Sequence, residues 1–486
     1  MTHIKADQVR VRFAPAPTGI PHIGNLRTAI FNWLYARHNN GKFLIRIEDT
    51  DRERFKQEYV DAINQTLQWM DMESDEQPII QSERFNEHKQ LFERLVEEKK
   101  AYRCYCTDQE IVARHKQKMG RDDLYVTYDG YCRNRERTGA DEQKPFVIRF
   151  ALPQDLTIIE FDDLIRGRLS LSAVELDDFI FVRSDGTPMY NFVVVADDAY
   201  MRITHILRGE DHILNTFKQI LLYQACNFPV PHFGHLSMIL GPSGEKLSKR
   251  DAATSVLDYR REGYLPDALF NYLVRLGWAH GDQEVFSREE LISLFTLEHV
   301  GKKGAIFDIQ KLAWLNGVYI REQQEQALLQ RIKGDVEPTI VQQLAPWSEA
   351  TMVTAIRLYK ERVKTLRELC DELTLLHDGP TAYAAHDIAT WVTSETPAHL
   401  DLLIQKLDAL KDFDVELVTT TIKELAKEKG LKLVALAQPI RLGLVGKSAS
   451  PGVFELLTFL GKDASLKRLR AVRTSIEKIA KKKRGV

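Results

Sequence analysis

The segment from Val9 to Glu48, VRVRFAPAPTGIPHIGNLRTAIFNWLYARHNNGKFLIRIE, gives the clearest indication of fold class. Its first six residues alternate polar and apolar side chains, which predicts a strand over Val9–Ala14. A turn rich in Pro and Gly follows, and apolar side chains on one helical face then predict a helix over Asn25–His38. A second strand is predicted over Lys42–Glu48. Strand, turn, helix and strand in this order indicate one right-handed parallel crossover unit.

The rest of the chain places this unit in a larger architecture. Between about residues 80 and 185 the pattern changes to short strand-like runs around a cysteine cluster, which indicates a domain inserted into the first. The apolar run Tyr190–Ala196 predicts a strand buried in the parallel sheet, and a helix is predicted over Asp211–Cys226. After Arg250 the pattern predicts helices. We therefore expect an α/β Rossmann-type domain split by an inserted α+β domain and followed by an all-α C-terminal half.

The composition is typical of a globular protein. The 486 residues are 44% hydrophobic and 28% charged, and the formal net charge is −2, so charge alone does not indicate a nucleic-acid partner. No stretch approaches the roughly 20 consecutive apolar residues that a membrane-spanning helix needs, and the N-terminus lacks an apolar signal core. The five cysteines form an odd, sparse set that favours a reducing compartment over a disulfide framework. We therefore expect a cytoplasmic protein without membrane association.

The turn before the first helix has the character of a phosphate-binding segment. PAPTGIPHIGN, residues Pro15–Asn25, lies between a strand and a helix, where backbone N–H groups and the helix dipole favour an anion. Gly24 allows a ligand to approach the backbone closely, while His22 and Thr18 offer hydrogen-bond donors. The nucleotide contacts expected from this segment are Thr18, His22, Gly24 and Asn25.

A second segment completes the nucleotide pattern about 225 residues later, in GPSGEKLSKR at Gly241–Arg250. Lys246 and Lys249 lie on either side of Ser248 in a loop that contains glycine, and such cations stabilise a charged phosphoryl transition state. Neither segment is specific alone. HIGN followed by KLSKR, in this order, resembles the paired nucleotide motifs of class I aminoacyl-tRNA synthetases. The sequence contains neither a P-loop nor a kinase-type glycine loop.

Longer blocks are similar to the glutamyl type of this family. RFAPAPTGIPHIGNLRTAIFNWLYAR and FLIRIEDTDRER resemble its N-terminal blocks, and Arg27–Ala29 differs from the glutaminyl type. YNFVVVADD, HILRGEDH and EKLSKRD resemble later blocks, so the resemblance extends from about Val11 to about Leu469. It implies a ligase that activates L-glutamate with ATP and Mg²⁺ and transfers the glutamate to tRNA(Glu).

The family pattern also implies the amino-acid contacts, which are Arg12, Ala14, Glu48, Tyr190 and Arg208. In this interpretation Arg208 binds the side-chain carboxylate, Arg12 makes a second carboxylate contact and Glu48 binds the ammonium. Arginine is suited to the first two roles because its guanidinium forms paired hydrogen bonds with a carboxylate. An ordinary salt bridge is the alternative for each residue. Ala16 departs from the family, which usually has Ser there, and this removes one hydroxyl contact.

The implied reaction requires no general base, because the α-carboxylate of glutamate is already an anion at neutral pH. It attacks the α-phosphorus of ATP, and a terminal ribose hydroxyl of the tRNA then attacks the adenylate. We expect His22, Lys246 and Lys249 to be the catalytic residues, which stabilise charge on the phosphate oxygens. The alternative is an enzyme that also glutamylates tRNA(Gln). The long helical half argues against a glutamyl-queuosine type synthetase, and the intact motifs argue against an inactive regulator.

The cysteine cluster lies in the predicted insertion and suggests zinc, which commonly takes four thiolate or imidazole ligands. In relatives the fourth ligand is a His two residues after the last cysteine, where this chain has Asn134, or a Tyr four residues before it. The expected zinc ligands are therefore Cys104, Cys106, Tyr128 and Cys132. His115 is a weaker fourth ligand, and a site that has lost its metal and keeps free thiols is the alternative.

The resemblance implies six segments: 1–80 and 188–255 for the catalytic domain, 81–187 for the acceptor-stem insertion, 256–330 for stem contact, and 331–390 and 391–486 for anticodon binding. From Leu466 onward there are nine basic residues against one acidic residue, Glu477. Arg441, Lys447 and Lys467–Arg473 are therefore candidate tRNA contacts, with plain surface charge as the alternative. We expect a monomer.

Overall fold

The computed structural model describes residues 8–119, 126–135, 138–141, 143–245, 247, 255–344 and 346–483. The chain divides into two compact units. The first comprises Met1–Leu257 with Leu269–Ile309, and the second comprises Asp258–Ala268 with Gln310–Val486. None of the helices in the described ranges is both long and apolar enough to cross a membrane.

The first unit begins with the predicted crossover. Its elements are β1 Arg10–Phe13, α1 Ile23–His38, β2 Lys42–Ile47, α2 Gln57–Trp69 and β3 Ile79–Ile80. Strand β1 pairs in parallel with β2 through Val11 and Phe43, and β2 pairs in parallel with β3 through Arg46 and Ile79. The predicted order of strand, helix and strand, with the two strands parallel, is therefore confirmed.

Helix α1 is buried on nearly all sides, although the sequence predicted a single apolar face. The side chains of Arg27 and Asn32 are among its buried residues. Arg27 Nη1 donates to the carbonyl of Leu276 at 2.8 Å, and Asn32 Nδ2 donates to the carbonyl of Leu207 at 2.9 Å. These two polar side chains satisfy buried carbonyl groups of neighbouring segments, which explains how the polar side of the helix is also covered.

The region after β3 is α+β, as expected for the insertion. Its elements are α3 Phe85–Glu97, β4 Ala101–Cys104, α4 Asp108–Met119, β5 Val147–Phe150, β6 Ile158–Asp163, β7 Gly167–Ser172 and β8 Ile180–Val182. Strands β4, β5 and β8 form an antiparallel sheet, and β6 and β7 form an antiparallel hairpin. Strand β6 also pairs in parallel with a later strand through Asp163 and Phe233. The six predicted domain boundaries remain predictions.

The parallel sheet is then completed. The elements that follow are α5 Tyr190–Tyr200, β9 His205–Gly209, α6 Ile213–Ala225, β10 His232–Leu236, β11 Ile239–Leu240, α7 Val256–Arg261, α8 Pro266–Arg275, α9 Arg288–Leu294 and β12 Ala305–Ile306. Strands β9 and β10 are parallel, and the N–H of Thr204, next to β9, donates to the carbonyl of Arg10 in β1. The α/β architecture thus uses segments from both sides of the predicted insertion.

The strand predicted over Tyr190–Ala196 is wrong, because these residues begin helix α5. The run from Phe192 to Val195 is buried. The ring of Phe192 packs against those of Phe92 and Phe181, with centroids 6.3 and 5.0 Å away. A run that is covered on every side has no polar positions, so its sequence does not distinguish a central strand from a buried helix.

The second unit is helical, as predicted. Its helices are α10 Ile309–Glu322, α11 Glu325–Asp335, α12 Pro338–Gln343, α13 Glu349–Tyr359, α14 Leu366–Asp378, α15 Ala385–Trp391, α16 Thr396–Asp408, α17 Val415–Glu428, α18 Leu433–Val445, α19 Val453–Leu460 and α20 Lys462–Lys483. One apolar core extends from Leu265 and Ala268 to Ile476. Pro338 and Pro397 lie in the first turns of α12 and α16, where proline is favoured.

Candidate active site

An open cleft of about 1590 Å³ lies in the first unit, at the C-terminal ends of β1, β2, β9 and β10. In open α/β sheets this edge is where ligands bind. The cleft is larger than the roughly 300–1,000 Å³ of a site for one drug-sized ligand, so it has room for more than one small molecule. Its lining includes nine residues predicted as contacts, namely Arg12, Ala14, Thr18, His22, Gly24, Asn25, Glu48, Tyr190 and Arg208.

His22 is the N-cap of helix α1. Its Nδ1 accepts hydrogen bonds from the N–H groups of Gly24 at 3.1 Å and Asn25 at 3.4 Å. With Nδ1 as an acceptor, the proton of the neutral ring is on Nε2. A side chain at position 24 would not fit, since a Cβ there would lie 2.9 Å from Cε1 of His22. The glycine therefore permits the imidazole to cap the helix at the edge of the cleft.

Buried ion pairs connect Arg12 with Glu48. The carboxylate of Asp198 accepts from Arg12 Nε at 3.1 Å and from Arg46 Nη1, and Arg46 Nη2 donates to Glu48 Oε1 at 2.8 Å. All four residues are buried. Burial raises the pKa of Glu48 and outweighs the attraction of Arg46. For Asp198 burial acts in the same direction, but the two arginines prevail and its pKa is lowered.

Arg208 is buried at the end of β9. Its Nη2 donates to Thr216 Oγ1 at 2.6 Å and to Gln219 Oε1 at 2.8 Å. Its Nη1 is also buried but has no hydrogen-bond partner among the residues that the structure describes. Burial lowers the pKa of Arg208. A buried guanidinium with an unpaired donor beside a cleft is suited to bind a carboxylate.

Tyr190 lies at the start of α5, on the cleft. Its hydroxyl is 3.3 Å from Nδ1 of His212. Burial, together with the negative charge of Glu48, raises the pKa of Tyr190, so the hydroxyl keeps its proton at neutral pH. It can therefore donate as well as accept a hydrogen bond.

Three predicted nucleotide contacts lie outside the described residues, and these are Lys246, Ser248 and Lys249. Leu247, between them in the sequence, is described. It lines the cleft, and its N–H donates to the carbonyl of Ile239 at 3.2 Å. Whether the lysines contact a nucleotide remains a prediction.

The sequence did not predict a role for four buried residues next to the predicted contacts, which are Arg46, Asp163, Asp198 and His235. A signal existed for two of them. Arg46 interrupts the apolar strand KFLIRI, and Asp198 follows the apolar run of α5. A charge at such a position needs a buried partner, but the sequence does not say which one.

The cysteine cluster is brought together by the fold. The sulfur atoms of Cys104, Cys106 and Cys132 all lie within 4.8 Å of one another, and His115 is not in this group. Tyr128 Oη lies 3.3 Å from the sulfur of Cys104. Burial raises the pKa of Cys106 to about 12, so without a metal this thiol stays protonated. Three converging sulfur atoms match the donors that zinc prefers.

Basic residues of the second unit have partners within the protein. Arg468 donates to three backbone carbonyls near the ends of α14 and α18. Arg473 pairs with Asp401 at 2.9 Å, and Arg470 and Lys447 also form ion pairs. The Lys467–Arg473 segment is thus at least partly structural, while its contact with tRNA stays a prediction.

Known proteins resemble this chain over nearly its whole length. A family model for the catalytic domain of class I tRNA synthetases (E and Q) matches residues 8–314, and an anticodon binding domain model matches residues 339–473. The glutamate–tRNA ligase of Geobacter sulfurreducens is 46% identical over 462 residues, which cover 95% of this chain and 98% of that protein. That of Thermodesulfovibrio yellowstonii is 45% identical, with 96% and 99% covered.

Comparison with solved structures points to the same family as the sequence relatives do. The crystal structure of a glutamate tRNA ligase from Elizabethkingia meningosepticum, in complex with its amino acid, superposes with a TM-score of 0.85 at 33% identity. The superposition covers 97% of this chain and 100% of that one. The glutamate-tRNA synthetase of Elizabethkingia anophelis gives a TM-score of 0.82 at 32% identity, with 96% and 100% covered. The chain therefore belongs to the glutamate–tRNA ligase family of class I tRNA synthetases.

Proposed function

We propose that the chain is a glutamate–tRNA ligase, which activates L-glutamate with ATP and transfers it to the 3′-terminal ribose of tRNA(Glu), with release of AMP and pyrophosphate. One observation carries the proposal. The same cleft is lined by the helix start at His22 and by the buried charges of Arg12, Glu48 and Arg208. The first feature suits a triphosphate, and the second suits an amino acid that has two carboxylates and one ammonium.

For the amino acid, the proposal gives Arg208 the side-chain carboxylate, Arg12 a second carboxylate contact and Glu48 the ammonium. The first role is supported by Nη1 of Arg208, which lacks a hydrogen-bond partner in the described ranges. Because burial raises the pKa of Glu48, an ammonium beside it would stabilise the ionised carboxylate. Two further residues of the cleft complete the set, namely Ala14 and Tyr190.

For the nucleotide, we propose contacts from Thr18, His22, Gly24, Asn25, Lys246, Ser248 and Lys249. ATP would enter as its Mg²⁺ complex. The α-carboxylate of glutamate attacks the α-phosphorus, pyrophosphate leaves, and a glutamyl adenylate forms. A ribose hydroxyl of the tRNA then attacks the activated carbonyl carbon, and AMP leaves. The protein positions the reactants and neutralises charge on the phosphate oxygens, and His22, Lys246 and Lys249 are the residues proposed for this.

Glutamate-dependent pyrophosphate exchange, measured with and without tRNA(Glu), tests the proposal. Lys249→Ala should slow adenylate formation by about a hundredfold to a thousandfold, because one cationic donor to the transition state is lost. Its affinity for tRNA should stay close to that of the wild type. Lys89→Ala removes an exposed lysine of α3 and is the matched control. A wild-type protein that neither exchanges pyrophosphate nor charges tRNA(Glu) would overturn the proposal.

Charging assays with each purified tRNA distinguish an enzyme for tRNA(Glu) alone from one that also glutamylates tRNA(Gln). For anticodon contact we propose the helical half, and within it Arg441. This side chain is half-buried, and its Nε has no hydrogen-bond partner in the described part of the chain. Arg441→Gln should weaken tRNA binding without a change in the KM for ATP.

We propose that the cysteine cluster holds one Zn²⁺, with Cys104, Cys106 and Cys132 as ligands and Tyr128 as the fourth. The ion would serve a structural role by linking the end of β4 to the segment around Cys132. Protein purified without chelator should contain about one zinc per chain by elemental analysis. Cys132→Ser should lose the metal, and Cys226→Ser, a buried cysteine outside the cluster, should retain it. Zinc far below one equivalent would contradict the proposal.

We further propose that the protein acts as a monomer in the cytoplasm. All five cysteines, each within the described residues, are free thiols, which suits a reducing compartment. Light scattering should give a mass near 55.9 kDa. A mass twice as large would contradict the monomer.

A further inference from the structure

Next to Arg208 lies a buried pair that the proposed reaction does not use. Asp163 ends strand β6, His235 lies in the neighbouring strand β10, and both side chains are completely buried. Nδ1 of His235 is 2.6 Å from Oδ2 of Asp163. The other carboxylate oxygen accepts the N–H groups of Ile165 at 2.9 Å and Arg166 at 2.8 Å. A carboxylate surrounded by donors in this way keeps the ring proton on Nδ1.

The second ring nitrogen of His235 is directed at Arg208. Arg208 Nε lies 3.3 Å from His235 Nε2, and Thr216 Oγ1 lies 3.0 Å from the same atom. A guanidinium N–H can only donate, so Nε2 must be the acceptor and the ring must be neutral. Arg208 Nη2 is held by Thr216 and Gln219, while Nη1 is the nitrogen left without a partner among the described residues.

We propose that Asp163 and His235 are positioning residues that orient Arg208 for a carboxylate at the end of the substrate side chain, by fixing the tautomer of His235. A proton on Nε2 would place that N–H against the N–H of Arg208 Nε, and the guanidinium would have to rotate. With the proton on Nδ1, two of the three guanidinium nitrogens are anchored in the protein, and Nη1 is kept for the ligand. This inference rests on the proposed function, because that function assigns Arg208 to the glutamate side chain.

Asp163→Asn tests the role of the tautomer. The amide oxygen must still accept from the N–H groups of Ile165 and Arg166, so the amide NH₂ faces Nδ1 and the ring proton moves to Nε2. The KM for glutamate in pyrophosphate exchange should rise about tenfold to a hundredfold, the effect of losing one charged, buried hydrogen bond. The KM for ATP should stay at its wild-type value. Asp162→Asn, an exposed neighbour on β6, is the matched control and should change neither value.

His235→Gln is the conservative variant, because its amide oxygen reaches the position of Nε2 and can accept from Arg208. Its KM for glutamate should stay within about threefold of the wild type. In the His235→Gln background, Asp163→Asn should add little, since there is no ring proton to move. If Asp163→Asn raises the KM for glutamate by the same factor in the His235→Gln background as in the wild type, the tautomer has no role and the inference is wrong.

A second variant keeps the test decisive if Asp163→Asn unfolds at the assay temperature. His235→Asn retains a donor towards Asp163 but has no acceptor at the position of Nε2, so it should raise the KM for glutamate equally. Arg208→Lys separates the two proposals. An unchanged KM for glutamate in Arg208→Lys would refute the assigned glutamate site. If Arg208→Lys raises the KM for glutamate but His235→Asn and Asp163→Asn leave it at the wild-type value, the positioning role alone is refuted. The positioning role alone is also refuted if these two variants change the KM for ATP as much as the KM for glutamate.

Discussion

At the scale of single residues, Gly24 shows how a backbone position determines the place of a side chain that we propose to be catalytic. The imidazole of His22 folds back over position 24 to cap helix α1, and the space it fills is the space a Cβ would need. The sequence predicted a glycine for close approach of a ligand to the backbone. The structure adds a second reason, which is close approach of the protein's own imidazole.

We therefore expect Gly24→Ala to displace the ring of His22 from its cap. The rate of pyrophosphate exchange should fall about tenfold to a hundredfold, since small displacements of catalytic groups have effects of this size. The free energy of unfolding should fall by only about 1 kcal/mol, the usual contribution of a helix cap. Gly19→Ala is the control, because its added Cβ has no other described residue within 4 Å except its two neighbours in the chain. Equal rates in the two variants would contradict this explanation.

At the scale of elements, the local sequence pattern predicts a helix or a strand well where one side of that element carries polar side chains. The crossover from β1 to β2 and the helices of the second unit were predicted because their sequences keep a visible period. Helix α5 was missed because its apolar run has none. The same limit explains why α1 was expected to be buried on one face, since the burial of Arg27 and Asn32 depends on carbonyl groups far along the chain.

The starts of strands β9 and β10 carry two adjacent histidines, His205 and His232, with ring centroids 4.9 Å apart. Burial, and after it the charge of His232, lowers the pKa of His205 from 6.5 to about 4. As the pH falls, the unfolded chain therefore takes up a proton at this site before the folded chain does. The free energy of unfolding should be insensitive to this group above pH 6.5 and should fall between pH 6.5 and pH 4.

Urea unfolding at several pH values tests this prediction. His205→Asn should make the decline in stability between neutral and acidic pH shallower than in the wild type. His386→Asn replaces an exposed histidine of α15 and should leave the wild-type slope. Parallel curves for His205→Asn and the wild type would show that this strand start does not contribute to acid sensitivity.

At the scale of the whole molecule, the sequence predicted side chains that line the cleft but not the buried side chains that connect them. All nine predicted contacts in the described ranges line one cleft. The ion pairs behind them join Arg12 to Asp198 and Arg46 to Asp198, across 186 and 152 positions. Nothing local at Arg12 indicates Asp198, because that partner is set by how β1, β2 and α5 pack. The same reasoning applies to Asp163 and His235.

The second unit depends on a short segment from the middle of the chain. Leu265 and Ala268 are completely buried in its core, although Leu269–Ile309 belongs to the first unit. A fragment that ends at Ile309 would lose the residues that cover these two side chains. We expect this fragment to aggregate at concentrations where the full chain stays monomeric in light scattering. Substituting Leu265→Ser in the fragment should reduce the aggregation, and a fragment as soluble as the full chain would contradict this expectation.

The chain crosses between its two units three times, after Leu257, Ala268 and Ile309. A single genetic crossover therefore cannot exchange one half for that of a relative. Recombination or grafting would have to transfer residues 258–268 together with everything after Ile309, which requires three joints and one donor that supplies both segments. Families built in this way should diversify their second unit mainly by point substitution and not by exchange of whole modules.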